Sequence, residues 1–450
     1  MNDCKVKWEN ILIFPELINN LDLRTLAEVS LVSILVRAKL KPTIFKRIKF
    51  NTIDFTRYMD NVNNLIWVYF FEKYGFMSRV SNLEAPDKST YKELKLDSTI
   101  NEFESTLAEV KQLVKVCNFY DIGKAGYYML PMFSLFENLT TLKLQNSLVS
   151  LKAFCKLSKC LKCLESIEFI RITFIKTLSE ELQHIDIKFP VNLKKLTFIV
   201  VGINSVQSIS PYNFLFDKND TRASEDFSLF PISIPSLKCF TYSQGGYRDS
   251  GLNQFLAGNP QLECLSINTN TIDQYKADYF SNLKKLIIED NYIDGDITLT
   301  NIDSIEELEF KFLERNLFHF IQKLCLMSVN LNRLTFMLDI NEETMPRLLN
   351  FVENIVSNCN RLKVLKLNII DKCDDPIKLS NLNNVELLII CSHLNNLILF
   401  DFNCINNLKR VEFHYHRTLI NKGSVKDKLL SIKNWKFRFL DKCVKGYKIK

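Results

Sequence analysis

Apolar residues recur with one spacing along most of the chain. They occupy the first, fourth and sixth positions of a segment written Leu-x-x-Leu-x-Leu, which returns about every 25 residues. Clear instances begin at Leu139, Leu164, Leu193, Leu262, Leu283, Ile305, Leu331, Leu362, Val385 and Leu408. Weaker instances begin at Tyr91, Val114 and Leu237. The alternation of the last two apolar positions is typical of a short strand that buries one face.

Two further features favour structural repeats over chance matches. Asn stands directly before the first apolar residue of six segments, at Asn138, Asn192, Asn282, Asn330, Asn384 and Asn407. The string Asn-Leu-Lys-Lys-Leu occurs at 192–196 and again at 282–286. Because one strand with its return segment cannot bury its own apolar face, neighbouring units must stack on each other.

This spacing resembles that of leucine-rich repeats. We therefore predict an α/β fold, a leucine-rich-repeat solenoid over residues 45–421 with a curved parallel sheet and with helices or irregular returns on its convex side. Residues 343–356 have the period of a helical return, and the polar stretch at about 203–230 is expected to be an insertion loop. A generic α/β protein with many strands is the alternative.

The polar residues between the apolar positions of each strand should face outward, where they could contact a protein partner. These substrate-facing candidates carry both signs of charge, so they name no class of ligand. They are Lys143, Lys195, Lys285, Glu307, Glu309, Arg333, Lys366 and Arg410.

Residues 8–44 follow a helical period instead. Ile13, Phe14, Leu17, Ile18 and Leu21 are spaced as on one face of a helix, and Asp22 is a candidate N-cap for a second helix. A third helix over 31–40 is expected to end before the proline at 42. Three short helices bury too little apolar surface to be stable alone, so this unit needs a partner or the repeats to cover it.

The string Leu21-Asp22-x-x-Thr25-Leu26-x-x-Val29-Ser30-Leu31-Val32-Ser33 resembles the middle of an F-box. An F-box followed by leucine-rich repeats is similar to the substrate-receptor subunits of SCF-type cullin–RING ubiquitin ligases, here of a fungal-like kind. The resemblance implies a Skp adaptor and a cullin scaffold as partners, beside an unknown protein substrate. It places adaptor binding on Phe14, Leu17, Ile18, Leu21, Leu26, Val29 and Val32. A helical cap for the repeats is the alternative for this unit.

Charge is concentrated at the C-terminus. The chain carries a net charge of +7, and residues 422–450 hold ten Lys and Arg against two Asp, a net of +8. In this stretch Ile432, Trp435, Phe437 and Phe439 alternate with cations, which predicts a capping strand that shields the last repeat. Binding of nucleic acid through these cations and aromatic rings is the competing interpretation.

Composition narrows the class of protein. There are 11 Gly and 11 Pro, against 43 Asn and 34 Phe, so turns must rely on Asn. Thirteen scattered Cys and the lack of a secretory signal or a membrane-length apolar run predict an intracellular protein, in the cytoplasm, the nucleus or both, with no membrane partner.

No motif for catalysis or for a cofactor is evident, so we expect a protein that is not an enzyme and takes no cofactor or metal. His414 and His416 with Cys404 could be thought a metal site, but exposed histidines on a strand are the simpler interpretation. Cys155, Cys160 and Cys163 have part of an iron–sulfur spacing; a repeat helix with buried thiols explains them as well.

Overall fold

A computed structural model describes most of the chain in two compact units, Met1–Phe230 and Pro231–Lys450. The described residues are 8–51, 101, 104–105, 107–123, 126–177, 187–206, 222–227, 229, 231–244, 251–268, 281–289, 302–311, 317–338, 345–370, 377–379, 382–393, 396, 399–402, 405–415, 422–440 and 442–449.

The first unit begins with four helices and continues into strands. The helices are α1 Trp8–Leu12, α2 Pro15–Ile18, α3 Leu23–Ser30 and α4 Ile34–Ile44, and further along come α5 Gly126–Met129, a 3₁₀ helix Leu130–Leu135 and α6 Leu151–Cys160. The strands are β1 Arg47–Asn51, β2 Val116–Gly123, β3 Thr141–Ser150, β4 Ser166–Thr177, β5 Lys195–Val206 and β6 Arg222–Asp226. Strands β1 to β5 are parallel and lie side by side in chain order, and β6 pairs antiparallel with β5.

The second unit repeats one strand and one return many times. Its strands are β7 Cys239–Ser243, β8 Cys264–Ile267, β9 Lys285–Ile288, β10 Glu307–Phe310, β11 Arg333–Leu338, β12 Val364–Ile369, β13 Ile377–Lys378, β14 Leu387–Ser392, β15 Phe400–Asp401, β16 Arg410–Tyr415, β17 Trp435–Phe439 and β18 Cys443–Lys448. Its helices are α7 Leu252–Ala257, α8 Phe318–Met327, α9 Met345–Asn358 and α10 Lys422–Leu430.

Eight strands of the second unit form a parallel sheet in the order β7, β8, β9, β10, β11, β12, β14 and β16. Strand β18 then pairs antiparallel with β16, and β17 pairs antiparallel with β18. Strands β13 and β15 form a small parallel pair of their own. In this C-terminal hairpin β18 therefore runs opposite to the repeat strands, and β17 runs in their direction.

The apolar positions of the repeats are aligned from strand to strand. In the second unit the fourth position of each segment pairs in register with the next, from Phe240 through Leu265 and Leu286 and onward to Val411. In the first unit Cys117, Leu142, Ile167 and Leu196 are aligned in the same way. All three apolar positions are at most 3% exposed in the twelve described segments. This is the packing of leucine-rich repeats, and it confirms the predicted α/β leucine-rich-repeat fold with a small helical region before it.

Phenylalanine explains part of the unusual composition. It takes the sixth position of the segment, the last apolar one, in six strands, and each of these rings is buried: Phe119, Phe169, Phe198, Phe310, Phe336 and Phe413. The rings of Phe310 and Phe336, on adjacent strands, stack with centroids 5.6 Å apart.

Strands β2 to β5 of the first unit have 8 to 12 residues, longer than predicted, because each continues past a turn. Asp121, Asn146, Arg171 and Val200 all have φ between 48° and 56°, and they occupy matching positions on β2 to β5. Each left-handed residue inverts the alternation of the strand. In β3, Leu142 and Leu144 are buried before the turn, and Ser147 and Val149 are buried after it. Both halves of the strand therefore face the same core.

Four local predictions were wrong. The residues at 204–206 and 222–226 are strand rather than insertion loop, because β6 finds a partner in β5. Helix α4 continues past Pro42, and the N–H of Phe45 closes its last turn on the Lys41 carbonyl at 3.0 Å. Strand β1 was not among the predicted repeats, although Phe45, Ile48 and Phe50 fit the pattern.

Cysteine placement is the fourth correction. Cys155 is buried in α6, but Cys160 and Cys163 are exposed, because they lie at the end of the helix and in the turn before β4. Other predictions hold: residues 345–358 form helix α9 with Leu348, Leu349, Val352, Ile355 and Val356 buried. The weak segment at Tyr91 and the residues His416 and Cys404 lie outside the described residues.

Candidate protein-interaction surfaces

The N-terminal helices are held by local capping and by a very small core. Pro15 occupies the first turn of α2, where its missing N–H costs nothing. Asp22 caps α3 by accepting a hydrogen bond from the Thr25 N–H at 2.7 Å, which confirms the predicted cap and lowers the pKa of the Asp22 carboxyl. Ser33 caps α4 in the same way through the Val36 N–H.

The core of this helical unit consists of Leu26, Val36 and Leu40, with half-buried apolar neighbours packed around them. Outside this core the four helices and the short turns beside them expose a large apolar surface. The exposed apolar side chains are Trp8, Ile11, Phe14, Leu23, Leu31, Val32, Ile34, Leu35 and Phe45. Ile34 is 85% exposed, and Leu31 and Val32 beside it are 69% and 65% exposed. So much exposed apolar surface on so few residues is typical of a docking site.

The structure divides the seven predicted adaptor-binding residues into two groups. Phe14 and Val32 are exposed, and Leu17 is half-buried. Leu26 lies in the core at 4% exposure, and Ile18, Leu21 and Val29 pack against that core. In this arrangement of the helices, Leu26 packs in their shared core and is not accessible to a partner. Leu31, Ile34 and Leu35, which were not among the predicted adaptor-binding residues, are far more exposed than Leu26.

The eight substrate-facing candidates all lie at outward positions of the strands, between buried apolar residues. On the first unit, Glu168 receives hydrogen bonds from Lys143 on β3 and Lys195 on β5, at 2.6 and 2.7 Å. Burial alone would raise the pKa of Glu168, but these two ammonium groups hold that pKa below its ordinary value. The three charges form a closed cluster across neighbouring strands.

The substrate-facing candidates on β9 and β10 also form ion pairs with each other. Lys285 lies 3.0 Å from Glu309 and 3.6 Å from Glu307. Burial would lower the pKa of Lys285, but the hydrogen bond to Glu309 and the nearby negative charges raise it above its ordinary value. At β16, Arg410 pairs with Glu412, which Lys445 of β18 also approaches at 3.7 Å.

Arg333 on β11 and Lys366 on β12 differ from the other six candidates. Neither side chain has an ion pair or a hydrogen bond within the described residues. On β12 and β14 the outward positions beside them are apolar, because Val364, Leu387 and Ile389 lie there in register. On the other side, Glu307 of β10 lies opposite Arg333 in register and is paired with Lys285. Sequence reasoning could place all eight residues on the outward face but could not separate these two from the rest.

A polar depression of about 880 Å³ lies along the edge of the second unit where its strands begin. Asn side chains line it together with Arg361, Lys363, Lys409, Glu306 and Glu386. Lys409 and Glu386 are paired at 2.8 Å, and Arg361 donates a hydrogen bond to the side-chain oxygen of Asn330. Three of these Asn residues, Asn330, Asn384 and Asn407, directly precede repeat segments. Their side-chain amides donate hydrogen bonds to backbone carbonyls of the preceding repeat.

The C-terminal hairpin presents two different faces. Trp435 and Phe437 of β17 are buried, and both rings contact Phe402, at centroid distances of 5.0 and 6.3 Å. Lys436 and Arg438 are exposed on the other face, and their register partners on β18 are Tyr447 and Lys445. This outer face is basic and carries one exposed aromatic ring.

Within the parts of the chain that the structure describes, no three His, Cys, Asp or Glu side chains meet in a group that could hold a metal ion. None of the helices there has the length and the hydropathy that crossing a bilayer requires.

Comparison with known proteins finds similarity in structure only. No protein-family model matches the chain. No curated protein matches its sequence. An internalin from Listeria monocytogenes is similar at 14% identity and a TM-score of 0.32, over 66% of this chain and 81% of that one. A leucine-rich-repeat protein of Leptospira interrogans is similar at 11% identity and a TM-score of 0.26, over 70% of this chain and 75% of that one. The leucine-rich-repeat assignment rests on the register of the strands described above.

Proposed function

We propose that this protein is a non-catalytic substrate-recognition subunit of an SCF-type ubiquitin ligase. Its N-terminal helices bind a Skp adaptor, which joins it to a cullin scaffold, and its leucine-rich repeats hold a protein substrate. The ligase chemistry takes place on other subunits. The contribution of this chain is effective concentration, because tethering keeps substrate lysines near a charged ubiquitin carrier.

The observation that carries the proposal is the exposed apolar surface of the helical unit. A helical cap that served only the repeats would bury its apolar residues against them, yet Leu31, Val32 and Ile34 are 65–85% exposed. Leu31 and Val32 lie at the turn between α3 and α4, within the string that resembles an F-box, and Ile34 begins α4 directly after that string. A partner that covered them would remove a large apolar area from water, which is the main driving force for association.

The proposal is tested with the full chain and a recombinant Skp adaptor. Val32→Asp should weaken adaptor binding at least tenfold, because it would bury an unpaired charge in an apolar interface. Val191→Asp is the matched control, since Val191 is 77% exposed and lies in the repeats, far along the chain from the helices. Isothermal titration calorimetry gives the affinities, and circular dichroism shows whether each variant is folded.

Leu26→Asp is not a suitable variant, because a charge at a side chain that is 4% exposed would disrupt the helical core itself. If the wild-type chain does not bind the adaptor, the ligase proposal fails. The second candidate, a leucine-rich-repeat scaffold for protein interactions without a ligase, would then take its place.

A further inference from the structure

The outward face of β11, β12 and β14 is unlike the rest of the sheet. Its nine outward positions carry no acidic residue. In register across the three strands they are Arg333, Val364 and Leu387, then Thr335, Lys366 and Ile389, then Met337, Asn368 and Cys391. We call these nine positions the apolar–cationic face.

Its two cations lack an internal partner. Arg333 and Lys366 form no ion pair within the described residues. Glu307 of the adjacent β10 lies opposite Arg333 in register, but it is paired with Lys285 of β9. On the other side of the face, Arg410 of β16 is paired with Glu412. The strands are about 4.8 Å apart and each residue advances about 3.3 Å, so the Cα atoms of Arg333 and Lys366 are about 8 Å apart. A chain lying across the face could therefore reach both with neighbouring acidic side chains.

The apolar members of the face are held in place. Ile389 is 8% exposed although it points to the outer side, and Val364, Leu387 and Met337 are half-buried beside it. Arg333 and Lys366 are themselves half-buried. Long basic side chains can cover apolar surface with their aliphatic stems while their charged ends reach solvent. The face therefore has Lys366 at its middle position and Arg333 at one corner, with apolar side chains beside both cations.

We infer that the apolar–cationic face recognises a protein segment that combines one or two carboxylates with aliphatic or aromatic side chains. Carboxylates would complete the pairs that Arg333 and Lys366 lack, and the apolar side chains would cover the half-buried Val364 and Leu387. A basic segment would be repelled. Two cations without an aromatic ring on the face are too few for a nucleic acid, whose affinity depends on many phosphate contacts. The inference rests on the proposed function only in assigning a protein partner to the repeats.

Selection from a display library of random twelve-residue peptides against the immobilised full chain tests the inference. We expect selected peptides to be enriched in Asp or Glu next to aliphatic or aromatic residues. A fluorescein-labelled selected peptide should bind the double variant Arg333→Glu and Lys366→Glu at least tenfold more weakly by fluorescence anisotropy. The neutral double variant, with Gln at both positions, should show an intermediate loss and keeps the test open if charge reversal prevents folding.

Lys363→Glu with Lys409→Glu is the matched control. It changes the net charge equally, at two exposed positions that directly precede β12 and β16 in the neighbouring polar depression. Because Lys409 is paired with Glu386, circular dichroism must show that this variant is folded. Binding by this control should equal that of the wild type. The inference is overturned if no peptides are selected, if they are not acidic and apolar, or if only the control loses binding. Adaptor affinity, measured separately through the helices, decides the ligase proposal without affecting this result.

Discussion

Four residues, Asp121, Asn146, Arg171 and Val200, set the path of the strands in the first unit. Only glycine adopts positive φ freely, and Asn and Asp tolerate it better than other residues. Asp121 and Asn146 fit this rule and are joined by a hydrogen bond between their side chains. Val200 does not fit it, because a β-branched side chain at φ 53° clashes with its own backbone.

Val200→Asn should therefore stabilise the protein. The left-handed conformation costs an ordinary residue about 1–2 kcal/mol, and Asn relieves much of that cost. Since Val200 is 46% exposed, little packing is lost. We expect the melting temperature in differential scanning calorimetry to rise by about 2–4 °C. Val116→Asn is the control, because Val116 is half-buried on β2 with a regular strand conformation, and there Asn should lower stability. Equal changes in the two variants would argue against strain at Val200.

At the scale of the repeat, the asparagine before each strand has a defined role. Its side-chain amide donates a hydrogen bond to a backbone carbonyl of the preceding repeat, at 2.7–3.4 Å in five of the six cases. Asn407 makes the same contact to Asn383. The two copies of Asn-Leu-Lys-Lys-Leu make the same bond, Asn192 to Lys162 at 2.9 Å and Asn282 to Pro260 at 3.0 Å. These bonds fix the stacking distance of neighbouring units.

Asn282→Ala should lower stability by about 1 kcal/mol, because the Pro260 carbonyl loses its donor. Asn282→Asp should lower it at least as much, since a carboxylate cannot donate to a carbonyl. Asn406→Ala provides the comparison, because Asn406 is exposed and its side chain makes no such bond within the described residues. Thermal unfolding of the three variants measures the difference. A shift for Asn406→Ala as large as that for Asn282→Ala would show that the bond contributes nothing.

How much of this could be predicted depends on which features are local in sequence. The spacing of Leu139, Leu142 and Leu144 predicts a strand and its inward face, because the period of a strand is fixed. The turn at Arg171 and Val200 could not be predicted, since neither residue favours positive φ. Both adopt it at positions that match Asn146 of β3 from strand to strand. Strand β1 was missed because Phe45, Ile48 and Phe50 directly follow a segment with helical period.

For the candidate surfaces, too, local features could be predicted from the sequence and features that depend on neighbouring strands or helices could not. Alternation placed Lys366 and Lys285 on the outward side, but their pairing depends on which residues the neighbouring strands bring opposite, which requires the register. In the helical unit, the sequence period indicated an apolar face. It did not indicate whether that face packs in the core or is exposed to solvent. Leu26 and Val32 both have helical spacing, yet the first is buried and the second exposed.

On the scale of the whole molecule, the positive charge belongs to the C-terminal hairpin. Residues 422–450 hold a net charge of +8 in a chain of +7. Lys433, Lys436 and Arg438 are exposed, whereas Trp435 and Phe437 between them are buried. Strand β17 lies at the edge of the sheet, and charged side chains on an edge prevent pairing with another molecule. This placement favours a cap over a nucleic-acid site.

Reversal of Lys433, Lys436 and Arg438 to Glu should therefore change the melting temperature by no more than about 2 °C, because the charges face water. Deletion of 422–450 should cause aggregation, since it would uncover Phe402 and Phe413 and expose the edge of β16. Filter binding to RNA and DNA over a range of salt tests the alternative. Sub-micromolar affinity that falls with a log–log slope of about −0.9 for each phosphate neutralised, and that the triple reversal abolishes, would show that the tail binds nucleic acid. If the hairpin is only a cap, the wild type and the triple reversal both show background binding to RNA and DNA. In that case only the deletion of 422–450 reduces the amount of soluble protein.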